Sequence, residues 1–131
     1  MGRDRIILLD TCGLLWLAHD QKKINKKVPS MIDELPAVYI SAITSFEIGL
    51  KYKSGKLSLP VPPQDWFREI IKHHDISVID LDRDICIKAT ELPDIHKDPC
   101  DRFIIATALI QGLPVVTADR RFQEYGVTVY I

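Results

Sequence analysis

The sequence predicts an α/β domain with a mainly parallel central sheet and helices on both faces. Short apolar runs alternate with longer amphipathic stretches along the chain, which is the pattern of strands joined by crossover helices. The run RIILLD is apolar at consecutive positions before its last acid, as expected of a central strand covered on both sides. With 131 residues, 47% of them hydrophobic, the chain is long enough for a single domain, residues 1–131, with a core of its own.

The first half of the chain predicts two strands and three helical stretches. RIILLD is strand one, TCGLLWLAHD is the helix after it, and AVYIS is strand two. Between the last two, KKINKKVPSMIDEL is a second amphipathic stretch, interrupted in its early part by Pro29. The helix TSFEIGLKYKSG has lysines in its last turn and a glycine after it, both typical of a helix C-terminus. Thr44 and Glu47 have the spacing of a capping box.

The second half begins with a proline-rich turn, LSLPVPP, and continues with alternating helices and strands. The helix QDWFREIIKHHD precedes strand three, ISVIDL, and DRDICIKATEL is the next helix. The helix that follows has Asp98 as its N-cap, Pro99 at its first position and Gly112 at its end. Strand four is LPVVTAD, RRFQEY is a short helix, and VTVYI is the closing strand.

Acidic residues stand where the predicted strands end. Asp10 follows strand one, Asp119 follows strand four, and Glu47 lies in the first turn of the helix after strand two. Parallel strands end at one edge of a sheet, and ligands bind beyond that edge, so we expect these three acids on one rim. Asp101 lies in the first turn of the helix before strand four, and topology alone does not force it to join them.

Two of these acids share a helical face with apolar residues, which favours an inward aim: Asp101 with Ile104, Ile105 and Ala108, and Glu47 with Ile43 and Leu50. A buried carboxylate needs a partner, and several close carboxylates need it more because they repel one another. Mg²⁺ or Mn²⁺ would meet that need with oxygen coordination.

Helix capping is the alternative for each acid, and the sequence leaves it open. Asp10 could cap the helix that starts near Thr11, and Asp119 could cap RRFQEY. Glu47 could complete the capping box of Thr44. Asp101 could be an acid favoured by the helix dipole.

Composition narrows the class of protein only slightly. The net charge is −1, from 17 basic and 18 acidic residues. Setting aside the four acids above leaves 14 acidic residues, so the charge balance argues neither for nor against nucleic-acid binding. An odd number of cysteines, Cys12, Cys86 and Cys100, argues against a disulfide framework and for the reducing cytoplasm. No apolar run approaches the length of a membrane span, so we expect no membrane partner.

Four motifs, in order, resemble a known family. LLDTCGLLW, SAITSFEIGLKYKSGKL, HKDPCDRFIIATA and VVTADRRF are similar to the motifs of PIN-domain ribonucleases of the VapC toxin type, over about Ile6 to Ile131. Each motif alone is weak, but four in order are specific. The resemblance implies a PIN-like three-layer α/β/α sandwich.

The resemblance also implies a site and an activity. Its acidic quartet corresponds to Asp10, Glu47, Asp101 and Asp119, which would hold one or two Mg²⁺ or Mn²⁺ ions in a metal-dependent endoribonuclease. Asp10, Glu47 and Asp101 would be the main ligands, and Asp119 would complete a second metal position or orient water. Thr117 matches a hydroxyl of the last motif, and Asp98 matches an acid that we interpret first as a cap. Toxins of this type are usually paired with an antitoxin and commonly form homodimers.

Other residues and two rival functions complete the expectations. RNA contact would need positive charge near the acids; the candidates are Lys51, Lys53, Lys56, Arg102, Arg120 and Arg121, with Arg102 best placed beside Asp101. We interpret His96 as a loop residue that could touch substrate. One rival is a non-catalytic PIN-like module that binds RNA or protein without cutting. A weaker rival is a phosphoryl-transfer enzyme with Asp10 as nucleophile, for which the sequence lacks a matching lysine motif.

Overall fold

The computed structural model describes residues 6–19 and 37–130 of the chain. The predicted amphipathic stretch KKINKKVPSMIDEL lies outside these residues. The strands are β1 (Ile6–Leu9), β2 (Ala37–Ser41), β3 (Ile76–Ile79), β4 (Val115–Val116) and β5 (Val129–Tyr130). The helices are α1 (Thr11–His19), α2 (Ala42–Lys53), α3 (Pro63–His74), α4 (Arg83–Glu91) and α5 (Pro99–Gln111), with a 3-10 helix at Arg120–Tyr125.

The strands form one five-stranded sheet in the order β3-β2-β1-β4-β5, and all its pairings are parallel. The prediction of a mainly parallel sheet is therefore confirmed. β1 lies at the centre, between β2 and β4, as its apolar run indicated. The connections lead from β1 towards β3 on one side and then return to β4 on the other. The strand order thus reverses between β1 and β4, and such a reversal opens a crevice at the carboxyl ends of the two strands.

Two hydrophobic cores lie on opposite faces of the sheet. Ile7 and Leu9 point into one core, which contains Leu14, Ile48 and Trp66 from α1, α2 and α3. Leu8 points into the other, which contains residues of α4, α5 and the 3-10 helix: Ile85, Ile104 and Phe122. The alternation along β1 places helices on both faces, so the three-layer α/β/α sandwich is confirmed.

The start of α2 differs from the prediction. Ser41 is the N-cap, and its hydroxyl accepts a hydrogen bond from the Ile43 N–H at 3.1 Å. The predicted capping box is therefore wrong, and Glu47 lies in the second turn of the helix, not the first. Leu50 is 53% exposed, so the predicted inward stripe through Leu50 is also wrong. The buried residues of α2 are Thr44 and Ile48, and Glu47 lies beside them.

The start of α5 agrees with the prediction. The Asp98 side chain caps the helix, Pro99 stands at the first position, and Gly112 ends it with a φ of 67°. By contrast, β4 is shorter than LPVVTAD. The chain turns after Val116, because the Thr117 hydroxyl accepts from the Asp119 N–H at 3.0 Å and Asp119 then caps the 3-10 helix.

The described helices and cysteines bear on two further expectations. No helix within residues 6–19 and 37–130 combines the length and apolarity that crossing a bilayer requires. Cys12, Cys86 and Cys100 are all free thiols.

Candidate active site

The carboxyl edge of the sheet carries a cavity of about 360 Å³ beside the point where the strand order reverses. All four predicted acids line this cavity, together with two of the three supporting residues: Asp10, Glu47, Asp98, Asp101, Thr117 and Asp119. Asp101, which topology alone could not place, is therefore on the same rim as the other acids.

Asp10 follows β1 and is 4% exposed. Its Oδ1 accepts a hydrogen bond from the Gly13 N–H at 2.6 Å, so it caps α1 as well as lining the cavity. Burial raises the pKa of Asp10 to about 7, and the negative charges of Asp101 and Glu47 add to the rise, while hydrogen bonds from Thr117 and Gly13 oppose it. An ionised Asp10 therefore lacks full compensation from the protein.

Glu47 is held by residues from two helices. Its Oε1 accepts from the Thr11 hydroxyl of α1 at 2.7 Å, and its Oε2 lies 3.1 Å from Lys51 Nζ one turn further along α2. The hydroxyls of Thr11 and Thr44 are 3.3 Å apart. Because a carboxylate only accepts, the Thr11 proton goes to Glu47, which leaves Thr44 to donate to Thr11. This chain of hydrogen bonds turns Glu47 towards the cavity. The predicted apolar stripe is not what orients it.

Asp101 stands at the third position of α5, where its N–H donates to Asp98 Oδ1 at 3.1 Å. Its Oδ2 lies 2.9 Å from Nε2 of His96. Burial raises the pKa of Asp101 to about 6; the charge of Asp98 contributes to the rise, and His96 opposes it. Asp101 and Asp10 therefore both carry negative charge that the protein compensates only in part.

Asp119 has the opposite electrostatic environment. Its Oδ1 accepts from the backbone N–H and Nε of Arg121, each at 3.0 Å, and its Oδ2 accepts from Arg121 Nη2 at 2.8 Å. His96 Nε2 lies 2.8 Å from the same Oδ2. These contacts, with the Arg121 hydrogen bond first, lower the pKa of Asp119 to about 2. Asp119 is the most fully neutralised member of the cluster.

His96 contacts two of the four predicted acids, and the sequence pattern does not predict these contacts. It lies in the loop before α5, as predicted, but it is 2% exposed and bridges Asp101 and Asp119. Its position two residues before the cap Asp98 was the available signal. A histidine there can fold back on the first turn of α5, and Nδ1 does accept from the Asp98 N–H at 3.2 Å.

Arg102 is engaged mainly within the protein. Its guanidinium donates to four backbone carbonyls at the end of α4 and in the loop before α5: Ala89, Leu92, Pro93 and His96. Four of its five N–H groups are thereby used within the protein. Arg102 thereby fixes the loop that carries His96, and one N–H remains for the RNA contact that was predicted.

Lys51 is the basic residue that lines the cavity, among the described residues around it. Lys53 and Lys56 are exposed at and beyond the end of α2, outside the cavity lining. Arg121 is engaged with Asp119 at the rim. The positive charge nearest the acids thus comes from α2 and from the 3-10 helix.

The donor set fits a hard divalent cation. Carboxylate oxygens are the ligands that Mg²⁺ and Mn²⁺ prefer. Burial raises the pKa values of Asp10 and Asp101, and neighbouring carboxylates add to the rise, so the ionised form of each is disfavoured in the protein alone. A cation there would stabilise the ionised form of both carboxylates and so oppose the effects of burial and of carboxylate repulsion.

A parallel three-layer α/β domain with a carboxylate cluster at the reversal of strand order defines the class of this protein. Residues 7–127 match the PIN domain family, and the chain belongs to that family.

Individual relatives agree with this assignment. Ribonuclease VapC22 of Mycobacterium tuberculosis is 25% identical over 120 residues, covering 91% of each chain. The structure of FitAcB from Neisseria gonorrhoeae has a TM-score of 0.67 at 24% identity, covering 95% of this chain and 96% of that one. The structure of VapBC2 from Rickettsia felis, bound to a DNA fragment from its promoter, has a TM-score of 0.71 at 15% identity, again covering 95% and 96%. The two structures support the fold.

Proposed function

We propose that this protein is a metal-dependent endoribonuclease that hydrolyses RNA phosphodiester bonds with Mg²⁺ or Mn²⁺. The observation that carries the proposal is the single cavity lined by Asp10, Glu47, Asp101 and Asp119. Ribonuclease VapC22 is a relative over most of the chain, which supports the same class of reaction here.

Three of the acids are the best ligands for the cation. Asp10 and Asp101 carry incompletely compensated charge, and Glu47 is turned towards the cavity by Thr11. A divalent cation held by these groups would lower the pKa of a bound water and stabilise charge on the scissile phosphate. Asp119 accepts hydrogen bonds from Arg121 and His96 on both of its oxygens, so its role is to orient water or neighbouring groups rather than to supply the first ligand.

The substrate's negative charge needs a cation of the protein. Lys51 lines the cavity and lies 3.1 Å from Glu47, where its ammonium can bind a phosphate oxygen while the acids hold the metal. Thr117 donates to Asp10 and accepts from the Asp119 N–H, so it fixes the spacing of the acids that follow β1 and β4.

Partners follow from the same proposal. Toxins of the VapC type, which this chain resembles, work with an antitoxin and commonly as homodimers, and we propose both partners here. The free cysteines support a reducing compartment, and we propose the cytoplasm.

The test is cleavage of a mixed RNA pool by purified protein with Mg²⁺, with Mn²⁺ and with EDTA. We expect metal-dependent cuts that Asp10→Asn abolishes. Asp65→Asn is the matched control, because Asp65 is an exposed acid on α3 paired with Arg68. Wild-type turnover by Asp10→Asn would overturn the proposal. Tight Mn²⁺ binding without any cut would favour the non-catalytic RNA- or protein-binding module.

A further inference from the structure

His96 presents an arrangement that the acidic quartet does not account for. Its side chain is buried at the rim of the cavity, and its ring packs edge-on against Phe122 with centroids 6.0 Å apart. Its backbone N–H donates to the Tyr125 hydroxyl at 2.7 Å, and that hydroxyl donates to the Pro93 carbonyl at 2.7 Å. Phe122 therefore packs against the ring, while Tyr125 ties the backbone of His96 to Pro93.

The hydrogen bonds of the ring assign its tautomer. Nδ1 faces the Asp98 N–H at 3.2 Å and must accept from it. In a neutral imidazole, one nitrogen accepts and the other carries the proton. Nε2 therefore carries a hydrogen, which points at Oδ2 of Asp101 and Oδ2 of Asp119 at 2.9 and 2.8 Å.

His96, Asp101 and Asp119 have potential metal-ligand atoms within 4.8 Å of one another. The tautomer decides whether His96 is a metal ligand or a hydrogen-bond donor in this group. A histidine nitrogen that binds a metal must offer its lone pair. Nε2 cannot do so while Nδ1 accepts from the backbone. His96 is thus a donor to two carboxylates, not a metal ligand.

We propose that His96 is a positioning residue that sets the affinity of the carboxylate cluster for its divalent cation. By sharing one N–H between Asp101 and Asp119, it holds two mutually repelling carboxylates side by side. It also holds Oδ2 of Asp101 against the imidazole, so that Oδ1 is the oxygen left for the cation. The proposal rests on the function proposed above, since it concerns the same cluster.

The experiment measures Mn²⁺ binding to purified protein by calorimetry, separately from RNA cleavage. Groups that orient metal ligands typically change metal affinity by about 10–100-fold when removed, and we expect His96→Ala to weaken Mn²⁺ binding within that range. His96→Gln should recover most of the affinity, because its amide can donate from nearly the position of Nε2. Thermal melts establish that each variant is folded.

Tyr125→Phe is the structural control. It removes the hydroxyl that ties the His96 backbone to Pro93 but leaves the ring's contacts with the acids. We expect a lower melting temperature and an unchanged Mn²⁺ affinity. Wild-type affinity in folded His96→Ala, or an equal loss in Tyr125→Phe, would overturn the proposal.

A spin-echo measurement on bound Mn²⁺ separates positioning from ligation. We expect the wild type to show no coupling between Mn²⁺ and a histidine nitrogen. A coupling that is present in the wild type and lost in His96→Gln would make His96 a ligand and overturn the proposal. If the wild type binds Mn²⁺ and cuts RNA while His96→Ala does the same, only the His96 proposal fails. If the wild type binds no Mn²⁺, the metal-dependent function fails and the His96 proposal fails with it.

Discussion

Two aspartates of one cavity have pKa values that move in opposite directions. Burial raises that of Asp10 to about 7, while Arg121 and His96 lower that of Asp119 to about 2. Both residues also cap helices. Capping and lining a site, which the sequence left as alternatives, are therefore compatible, since a cap uses one carboxylate oxygen and leaves the other.

Lys51 gives a residue-scale prediction about substrate. Lys51→Gln removes the cation that lines the cavity, and we expect weaker RNA binding, seen as a higher KM, and a shallower salt dependence. Lys53→Gln changes an exposed lysine of the same helix outside the cavity. It serves as the matched control and should leave both quantities nearly unchanged. Equal effects from the two substitutions would argue for a diffuse basic surface.

Gly13 shows how closely α1 approaches β4. A Cβ at this position would lie 2.8 Å from the Val116 carbonyl oxygen and 3.1 Å from Asp10 Oδ1. Gly13→Ala therefore forces backbone or carboxylate to move, and we expect a loss of about 1–3 kcal/mol in the free energy of unfolding. Cleavage should fall as well, because Asp10 is displaced.

Gly49 on α2 supplies the comparison, since a Cβ there meets nothing within 4 Å. Replacing a helical glycine by alanine in open space should stabilise the protein by about 0.5–1 kcal/mol. Urea denaturation of both variants measures the difference. A Gly13→Ala protein as stable and active as Gly49→Ala would mean that α1 can shift without cost.

Arg102 connects the end of α4 to the start of α5 through carbonyl acceptors that lysine cannot span. Arg102→Lys leaves several of these carbonyls without a donor, and we expect a loss of about 2–4 kcal/mol in the free energy of unfolding. Arg68→Lys alters an arginine that is 67% exposed and should change stability by less than about 0.5 kcal/mol. Chemical denaturation curves of the two variants test this contrast.

Sequence patterns located the elements well and their contacts less well. The apolar run of β1 and the cap–proline–glycine signals of α5 report local physics, so both predictions held. His96 and Arg102 depend on how the loop between α4 and α5 folds back, and Glu47 depends on a hydroxyl of α1. Neither helical periodicity nor motif spacing contains those tertiary distances. The sequence therefore does not predict the contacts of His96 and Arg102, and it gives the wrong reason for the orientation of Glu47.

At the scale of the whole molecule, the acidic cavity should make the metal-free protein sensitive to pH. Asp10 and Asp101 have folded-state pKa values of about 7 and about 6, above the ordinary 3.8. The folded state then binds more protons than the unfolded state between about pH 4 and 7, so the free energy of unfolding falls as pH rises through that window. Asp119 acts oppositely: its contribution is lost as pH falls from about 4 towards 2.

Asp10→Asn should accordingly be more stable than the wild type in EDTA at neutral pH, by on the order of 2–4 kcal/mol. Mn²⁺ should raise the melting temperature of the wild type, because it binds the folded state, and should raise that of Asp10→Asn much less. Thermal melts across pH 4 to 8, with and without Mn²⁺, measure both effects. A wild type whose metal-free stability is flat over this range would contradict the assigned electrostatics.

The pairing of β1 with β4 determines when the cavity can exist. Leu9 lies opposite Val116, so β1, which is synthesised early, can pair with β4 only after most of the described residues have been synthesised. Contacts between segments so far apart in sequence form slowly. Asp10 therefore has no Asp101 or Asp119 beside it until those later residues have been synthesised and β4 has paired with β1. Recovery of Mn²⁺ binding during refolding should accordingly lag behind the helical signal. The cavity is therefore one of the last features of the described residues to form, because it needs both the first strand and the segment that carries β4.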